Sequence, residues 1–274
     1  MIMTFEAGGA ALRRMPDAVS MTAASALLPQ GSYTTFRTYS GNRILRLEQH
    51  VRRLNESAQL VDLHGNLDLT VVRAAVAQAI GLAGYTEARL RLTFAPPLFF
   101  LSIEPFDPYP REYYEAGVRC VTLNAHRDNP HAKSTTFIAP AGSAYKTLPQ
   151  GVHEGLMVDA DGAVLEGLSS SFFALLDNVL HTEQSRALVG VTQELVLEIA
   201  ASVAPEVHLS HVAVYRDDLP RLSECFITSV SREIMPVVEI DGLCIAGGLP
   251  GPLTRRLMRG LSELINREAQ SLPI

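Results

Sequence analysis

Hydrophobic positions recur along the chain with two periods, and the periods divide it into elements. Tyr33 to Thr38 alternates β-forming and polar residues and predicts a strand; Gly41-Asn42 marks a turn, and Ile44-Leu45-Arg46-Leu47 predicts a second strand. From Glu48 to Val61 the spacing changes. Val51, Leu54, Ala58 and Val61 fall three and four residues apart, the period of a helix with one buried face. Leu69 to Ile80 repeats that pattern. Arg89 to Phe94 and Leu98 to Ile103 then predict a hairpin about Ala95-Pro96-Pro97. Glu104 to Tyr114 is rich in proline and aromatic residues and reads as a connection between domains. Short strands dominate beyond it, over 118–123, 154–159, 172–176 and 226–228, with Asp159-Ala160-Asp161-Gly162 as a turn. Thr192 to Ser202, with Leu195, Val196, Ile199 and Ala200 on one face, and Leu253 to Glu268 predict two further helices.

This order predicts an α/β (α+β) chain of two domains. A smaller N-terminal α/β domain spans 1–107, a connection and first strand 108–125, and a larger domain 126–274.

Composition narrows the function classes. Of the 274 residues 47% are hydrophobic and 19% charged, as in an ordinary globular enzyme. A net charge of −6 argues against general affinity for nucleic acid. No window holds the ~18 uninterrupted apolar residues of a membrane span. The start, Met1-Ile2-Met3-Thr4-Phe5-Glu6, lacks a basic region before an apolar core, so a cytoplasmic protein is expected. Cys120, Cys225 and Cys244 are widely spaced without metal-ligand pairing; they read as buried small hydrophobes in a reducing compartment, and no metal is expected.

Candidate chemistry starts from the cations. There are two lysines, Lys133 and Lys146, within a Lys+Arg total of 23. Lys133 lies in His131-Ala132-Lys133-Ser134-Thr135-Thr136-Phe137. Next comes Val164-Leu165-Glu166-Gly167-Leu168-Ser169-Ser170-Ser171, and then Gly190-Val191-Thr192 at the opening of a predicted helix. A lysine amine, a carboxylate and a helix N-terminus are three parts that a pyridoxal 5'-phosphate (PLP) site needs. The amine forms the Schiff base, the carboxylate keeps the pyridine nitrogen protonated, and the helix end takes the phosphate. Arg53, on the helix 48–61, offers a fork for the same phosphate. Each residue also has a plainer reading: a surface lysine, a strand-end charge, an ordinary N-cap threonine, a solvated helix arginine. Lys146, in a segment closed by Pro149, reads as solvent-exposed.

From about Gly31 to the C-terminus the chain resembles the class IV aminotransferases, the fold-type IV PLP enzymes that include branched-chain and D-amino-acid aminotransferases and aminodeoxychorismate lyase. Tyr33-Thr34-Thr35-Phe36-Arg37-Thr38 is similar to that family's first-strand motif. His50-Val51-Arg52-Arg53-Leu54 with Ser57-Ala58 resembles its helix motif, which places Arg53 on the phosphate arginine. The interval from Lys133 to Gly151 and Glu154-Gly155-Leu156 matches the stretch after the family's catalytic lysine, and Lys146 does not fit that register. The resemblance implies that Glu166 pairs with the pyridine nitrogen and that Val191-Thr192 binds phosphate. Ser229-Val230-Ser231, within Phe226 to Val237, falls on the second phosphate segment. It also implies a cofactor between two domains and a homodimer. Three positions depart from the family: Ser171 stands where Asn is frequent, Val230 where the phosphate loop has a hydroxyl residue, and Pro140 in the helix after the lysine, which predicts that this helix is rebuilt.

The leading expectation is therefore a PLP-dependent transaminase that moves an amino group from an amino acid to a 2-oxo acid by a ping-pong cycle. A lyase of the aminodeoxychorismate type and a non-catalytic PLP-binding homologue are the alternatives. The substrate carboxylate needs a cation, and Arg37, Arg89 and Arg91 are candidates beside Tyr33. Arg89 and Arg91 face one side of a strand, as one anion site or as a solvated face.

Overall fold

The computed structural model describes residues 2–8 and 12–272, which form two compact units. The first contains 1–107, 132–140 and 265–274; the second contains 108–131 and 141–264. The boundary after Asp107 falls in the proline-rich connection. The segment that carries Lys133 groups with the first unit although it interrupts the second in sequence, and the C-terminal segment, which follows the second unit, groups with the first as well.

In the first unit a seven-stranded antiparallel sheet is built about the strands Ser32–Tyr39, Ala88–Ala95 and Leu98–Pro105. Alternation puts Phe36, Leu90, Leu92, Leu101 and Ile103 on one face. That face buries Val51, Leu54 and Ala58 of the helix Leu47–Gln59 and Val72, Val76 and Ile80 of the helix Leu69–Ala83. The second helix starts where the Asp68 carboxylate accepts from the Thr70 and Val71 N–H groups, and stops at Gly84, whose φ of 64° only glycine adopts freely. The opposite face carries Tyr33, Thr35, Arg37, Arg89 and Arg91. The expected strand 44–47 is shorter: only Arg43–Ile44 pairs, and Leu47 already opens the helix, because its apolar side chain belongs to the three-and-four series that packs on the sheet.

In the second unit the strand path runs His208–Ser210, Val179–His181, Ser171–Leu176, Glu224–Ser229, Glu233–Ile240, Val118–Asn124, Glu154–Val158 and Val164–Gly167. The last strand pairs back onto Ser171–Leu176 through Glu166 and Ser171, so the path closes on itself. The core inside holds Leu156, Val158, Phe172, Ala174, Ile227, Met235 and Val237. The helix Val191–Val203 packs on the Glu224–Ser229 strand. Buried Glu224 caps the helix Pro252–Glu268 by accepting from the N–H groups of Leu253 and Thr254 and from the Thr254 hydroxyl. Pro140 does not disrupt the helix Ile138–Thr147: it is the third residue, in the first turn, where a missing N–H costs nothing.

Among the described residues no helix is long and apolar enough to cross a membrane, and no group of His, Cys, Asp or Glu side chains is arranged to hold a metal ion.

Candidate active site

Lys133 is half-buried in a loop zipped along the start of the Ser32–Tyr39 strand. Its N–H donates to the Ser57 hydroxyl at 3.2 Å and its carbonyl accepts the Tyr33 N–H at 2.8 Å. Thr135 and Gly31 bond to each other on the next step of the same ladder. The loop has no helix or strand of its own, so these long-range bonds fix where the lysine emerges. Its Nζ lies 5.0 Å from the centroid of the Tyr33 ring, within reach of a cation–π attraction. Lys146 is exposed in the last turn of its helix.

A second cation meets the same ring: the Arg91 guanidinium carbon is 5.0 Å from the Tyr33 centroid. Arg91 donates to the Ser25 hydroxyl at 2.6 Å and the Met21 carbonyl at 3.3 Å. Among the described residues no carboxylate lies within ion-pair distance of it, and burial holds its pKa below the ordinary arginine value. The other two arginines are used differently. Arg37 packs between the Tyr39 and Phe106 rings and faces Glu87 at 3.9 Å; Arg89 donates to Glu104 at 2.6 Å. The shared face of Arg89 and Arg91 thus holds one arginine in an ion pair and one bonded to neutral groups.

On the helix side, Arg53 donates to the Thr34 hydroxyl at 3.1 Å, and that hydroxyl lies 2.9 Å from His50 Nδ1. That hydroxyl can accept from Arg53 and still give its proton to His50 Nδ1, an arrangement that suits a neutral imidazole. Burial, and then the charges of Arg53 and Lys133, push the His50 pKa down to about 3.

In the second unit Glu166 is 3% exposed and its Oε1 accepts from Arg127 Nε at 2.8 Å and from the Leu188 N–H at 3.3 Å. Arg127 was not anticipated from the sequence; its only signal is that it precedes the lysine segment. The helix Val191–Val203 begins at Gly190, which has no side chain; the Gln193 side chain reaches back to accept from the Gly190 N–H at 3.2 Å, and the N–H groups of Val191 and Thr192 lie in the first turn. Ser229, Val230 and Ser231 form the turn between the strands Glu224–Ser229 and Glu233–Ile240.

These parts suit PLP chemically. The first unit offers an amine beside an aromatic ring and an arginine on a neutral histidine; the second offers a buried carboxylate neutralised by arginine, and two clusters of backbone donors. The comparisons decide the family. Residues 31–240 match the family described as Amino-transferase class IV. The chain belongs to that family. It is a class IV, PLP-dependent aminotransferase of the fold-type IV architecture. This class IV chain is 28% identical over 265 residues to a D-alanine aminotransferase of Bacillus licheniformis, covering 87% of the chain and 88% of the relative. A branched-chain-amino-acid aminotransferase of Pseudomonas aeruginosa is 25% identical over 264 residues, with 86% and 83% covered. The fold matches the PLP-bound form of a hypothetical aminotransferase from Mycobacterium tuberculosis with a TM-score of 0.77 at 23% identity, covering 97% of this chain and 99% of that one.

Proposed function

We propose that Lys133 is the residue that bonds the cofactor and that Arg91 receives the substrate carboxylate, in an enzyme that exchanges an amino group between an amino acid and a 2-oxo acid in two half-reactions. The carrying observation is that Lys133 and Arg91 both meet the Tyr33 ring, and that Arg91 is a half-buried cation whose hydrogen bonds go to a hydroxyl and a carbonyl rather than to a carboxylate. A half-buried arginine bonded only to neutral groups keeps its charge available for an anion.

PLP, when bound, supplies the electron sink that makes the substrate Cα–H acidic. The chain does the rest. Lys133 Nζ would take the proton from Cα and deliver it to the cofactor's C4', and reverse that transfer in the second half-reaction; Glu166 would face the pyridine nitrogen, and Arg127 would hold that carboxylate in place. Arg53, the helix start at Val191 and Thr192, and the N–H groups of the Ser229-Val230-Ser231 turn would take the phosphate. The names of the relatives support small and branched apolar amino acids as the first donors to try, on both enantiomers. The family resemblance supports a homodimer at work in the cytoplasm, which sedimentation and fractionation test.

The direct test is the absorption spectrum of protein with PLP, for wild type and Lys133→Ala, during titration with L- and D-amino acids. A visible band present only in wild type and bleached by a subset of donors is expected. A band that survives in Lys133→Ala overturns the assignment of the lysine, and turnover that needs no 2-oxo acid replaces the transaminase with a lyase.

A further inference from the structure

Arg232 is buried in the turn that follows Ser231, and the structure pins all of its polar parts. Its N–H donates to the Ser229 hydroxyl at 3.3 Å and its carbonyl accepts from the Tyr114 hydroxyl at 3.2 Å. Nη1 donates to the Ser169 hydroxyl at 2.9 Å, Nη2 to the Tyr145 hydroxyl at 3.2 Å, and Nε to His153 Nε2 at 3.3 Å. Nη2 also lies 3.3 Å from Glu154 Oε2.

Glu154 is fully buried and gathers the same wall. It accepts from Tyr145 at 2.6 Å, from Ser170 at 3.0 Å and from its neighbour's N–H at Gly155 at 3.1 Å. A side chain at Gly167 would collide with Ser170 and with Glu154, so glycine there lets the carboxylate approach. Burial works most strongly against the Arg232 charge, but Glu154, Tyr145 and Tyr109 together outweigh it and hold the guanidinium above its ordinary pKa; burial and then Arg232 push His153 down to about 4, so it stays a neutral acceptor. Tyr109 lies against both, its ring 5.9 Å from the Arg232 carbon and 5.3 Å from the His153 ring.

A guanidinium already neutralised by a buried carboxylate is not an anion receptor. Its geometry serves another end. The fork is planar and rigid, and it ties the 229–232 turn to Glu154, Tyr145, Ser169 and His153 at once. We propose that Arg232 is a positioning residue for the cofactor phosphate: through the Glu154 network it sets the direction of the Val230 and Ser231 N–H groups. This rests on the reading above that the turn binds phosphate. A lysine keeps the charge but lacks the fork, so charge alone does not suffice.

The test compares apoprotein affinity for PLP with affinity for pyridoxal, which lacks the phosphate, in wild type, Arg232→Lys, Arg232→Met and His153→Ala. Arg232→Met is expected to weaken PLP roughly ten- to a hundredfold, the loss when a hydrogen bond to a charged group goes out of line. Arg232→Lys should rescue it only in part, and pyridoxal affinity should change about threefold or less. Equal weakening of both ligands, or none, overturns the proposal, because a residue needed only for folding does not sense the phosphate. Should Arg232→Met fail to fold, Arg232→Lys and His153→Ala carry the same comparison. Ser231→Pro, which deletes one turn N–H, separates the two readings. If it leaves the preference for PLP intact, the phosphate turn itself is wrong; if it removes the preference while the Arg232 variants keep it, only the role of Arg232 fails.

Discussion

Lys133 and Tyr33 are joined twice: the lysine carbonyl accepts the Tyr33 N–H at 2.8 Å, and the lysine Nζ stands 5.0 Å from the centre of the Tyr33 ring. The first bond is main-chain and survives any substitution at residue 33 except proline. The second depends on the aromatic face alone. Tyr33→Phe should therefore keep most activity, and Tyr33→Leu should lower kcat/KM about 2- to 30-fold, the range of a cation–π contact worth ~0.5–2 kcal/mol. Steady-state kinetics of the two variants check this. Equal loss in both would move the role from the ring to the hydroxyl.

Arg91 stands on the other contact of that ring, and its partners are a hydroxyl and a carbonyl. Substitution by methionine removes the donor proposed for the substrate carboxylate without breaking an ion pair. The KM for the 2-oxo acid should rise about 10- to 100-fold, corresponding to ~1.5–3 kcal/mol for a charge-assisted bond, with a smaller change in kcat. Arg89→Met, which instead leaves Glu104 without its arginine, should change thermal stability more than KM.

His50 sets an acid limit on stability. Its folded pKa is about 3 against an ordinary 6.5, so below pH 6.5 the unfolded chain binds a proton that the folded chain refuses. Its contribution is complete above 6.5 and is lost as pH falls toward 3, at about 1.4 kcal/mol per pH unit once well below 6.5. His153, at about 4, acts with the same sign. Urea midpoints at pH 7.5, 6 and 5 should therefore fall before most carboxylates titrate. His50→Asn should reduce the slope, whereas a flat wild-type profile would contradict the burial of a neutral imidazole.

How far the chain could be read in advance follows from the distance between interacting residues. The helices over 47–59, 69–83, 191–203 and 252–268 announce themselves in apolar spacing, because each lays one stripe on a sheet. The strand Glu233–Ile240 went unpredicted: its apolar run Ile234-Met235-Pro236-Val237-Val238 contains a proline and does not alternate. Lys133, Glu166 and Thr192 were visible as ordered motifs. Arg127 and Arg232 were not, since their meaning lies in partners 39 and 78 residues away, Glu166 and Glu154, that no local pattern reveals. Arg37 and Arg91 read alike in sequence, two charges on alternating strands. The aromatic pair around the first, and the hydroxyl and carbonyl bonded to the second, tell them apart.

The Arg127–Glu166 pair makes the last prediction. Both side chains are almost wholly buried, at 5% and 4% exposure, and the closest atoms are 2.8 Å apart. Removing the arginine leaves the carboxylate in a place where water does not reach. Arg127→Met should cost about 3–5 kcal/mol of stability, the penalty of breaking a buried pair from one side. Arg127→Met with Glu166→Gln removes the charge as well and should recover part of that loss, while activity should stay low on the role proposed for Glu166 at the pyridine nitrogen. Urea unfolding of the two variants beside Glu166→Gln forms a double-mutant cycle. A double variant no more stable than Arg127→Met would mean that Arg127 acts through packing, and that the charge on Glu166 is held by its other contacts.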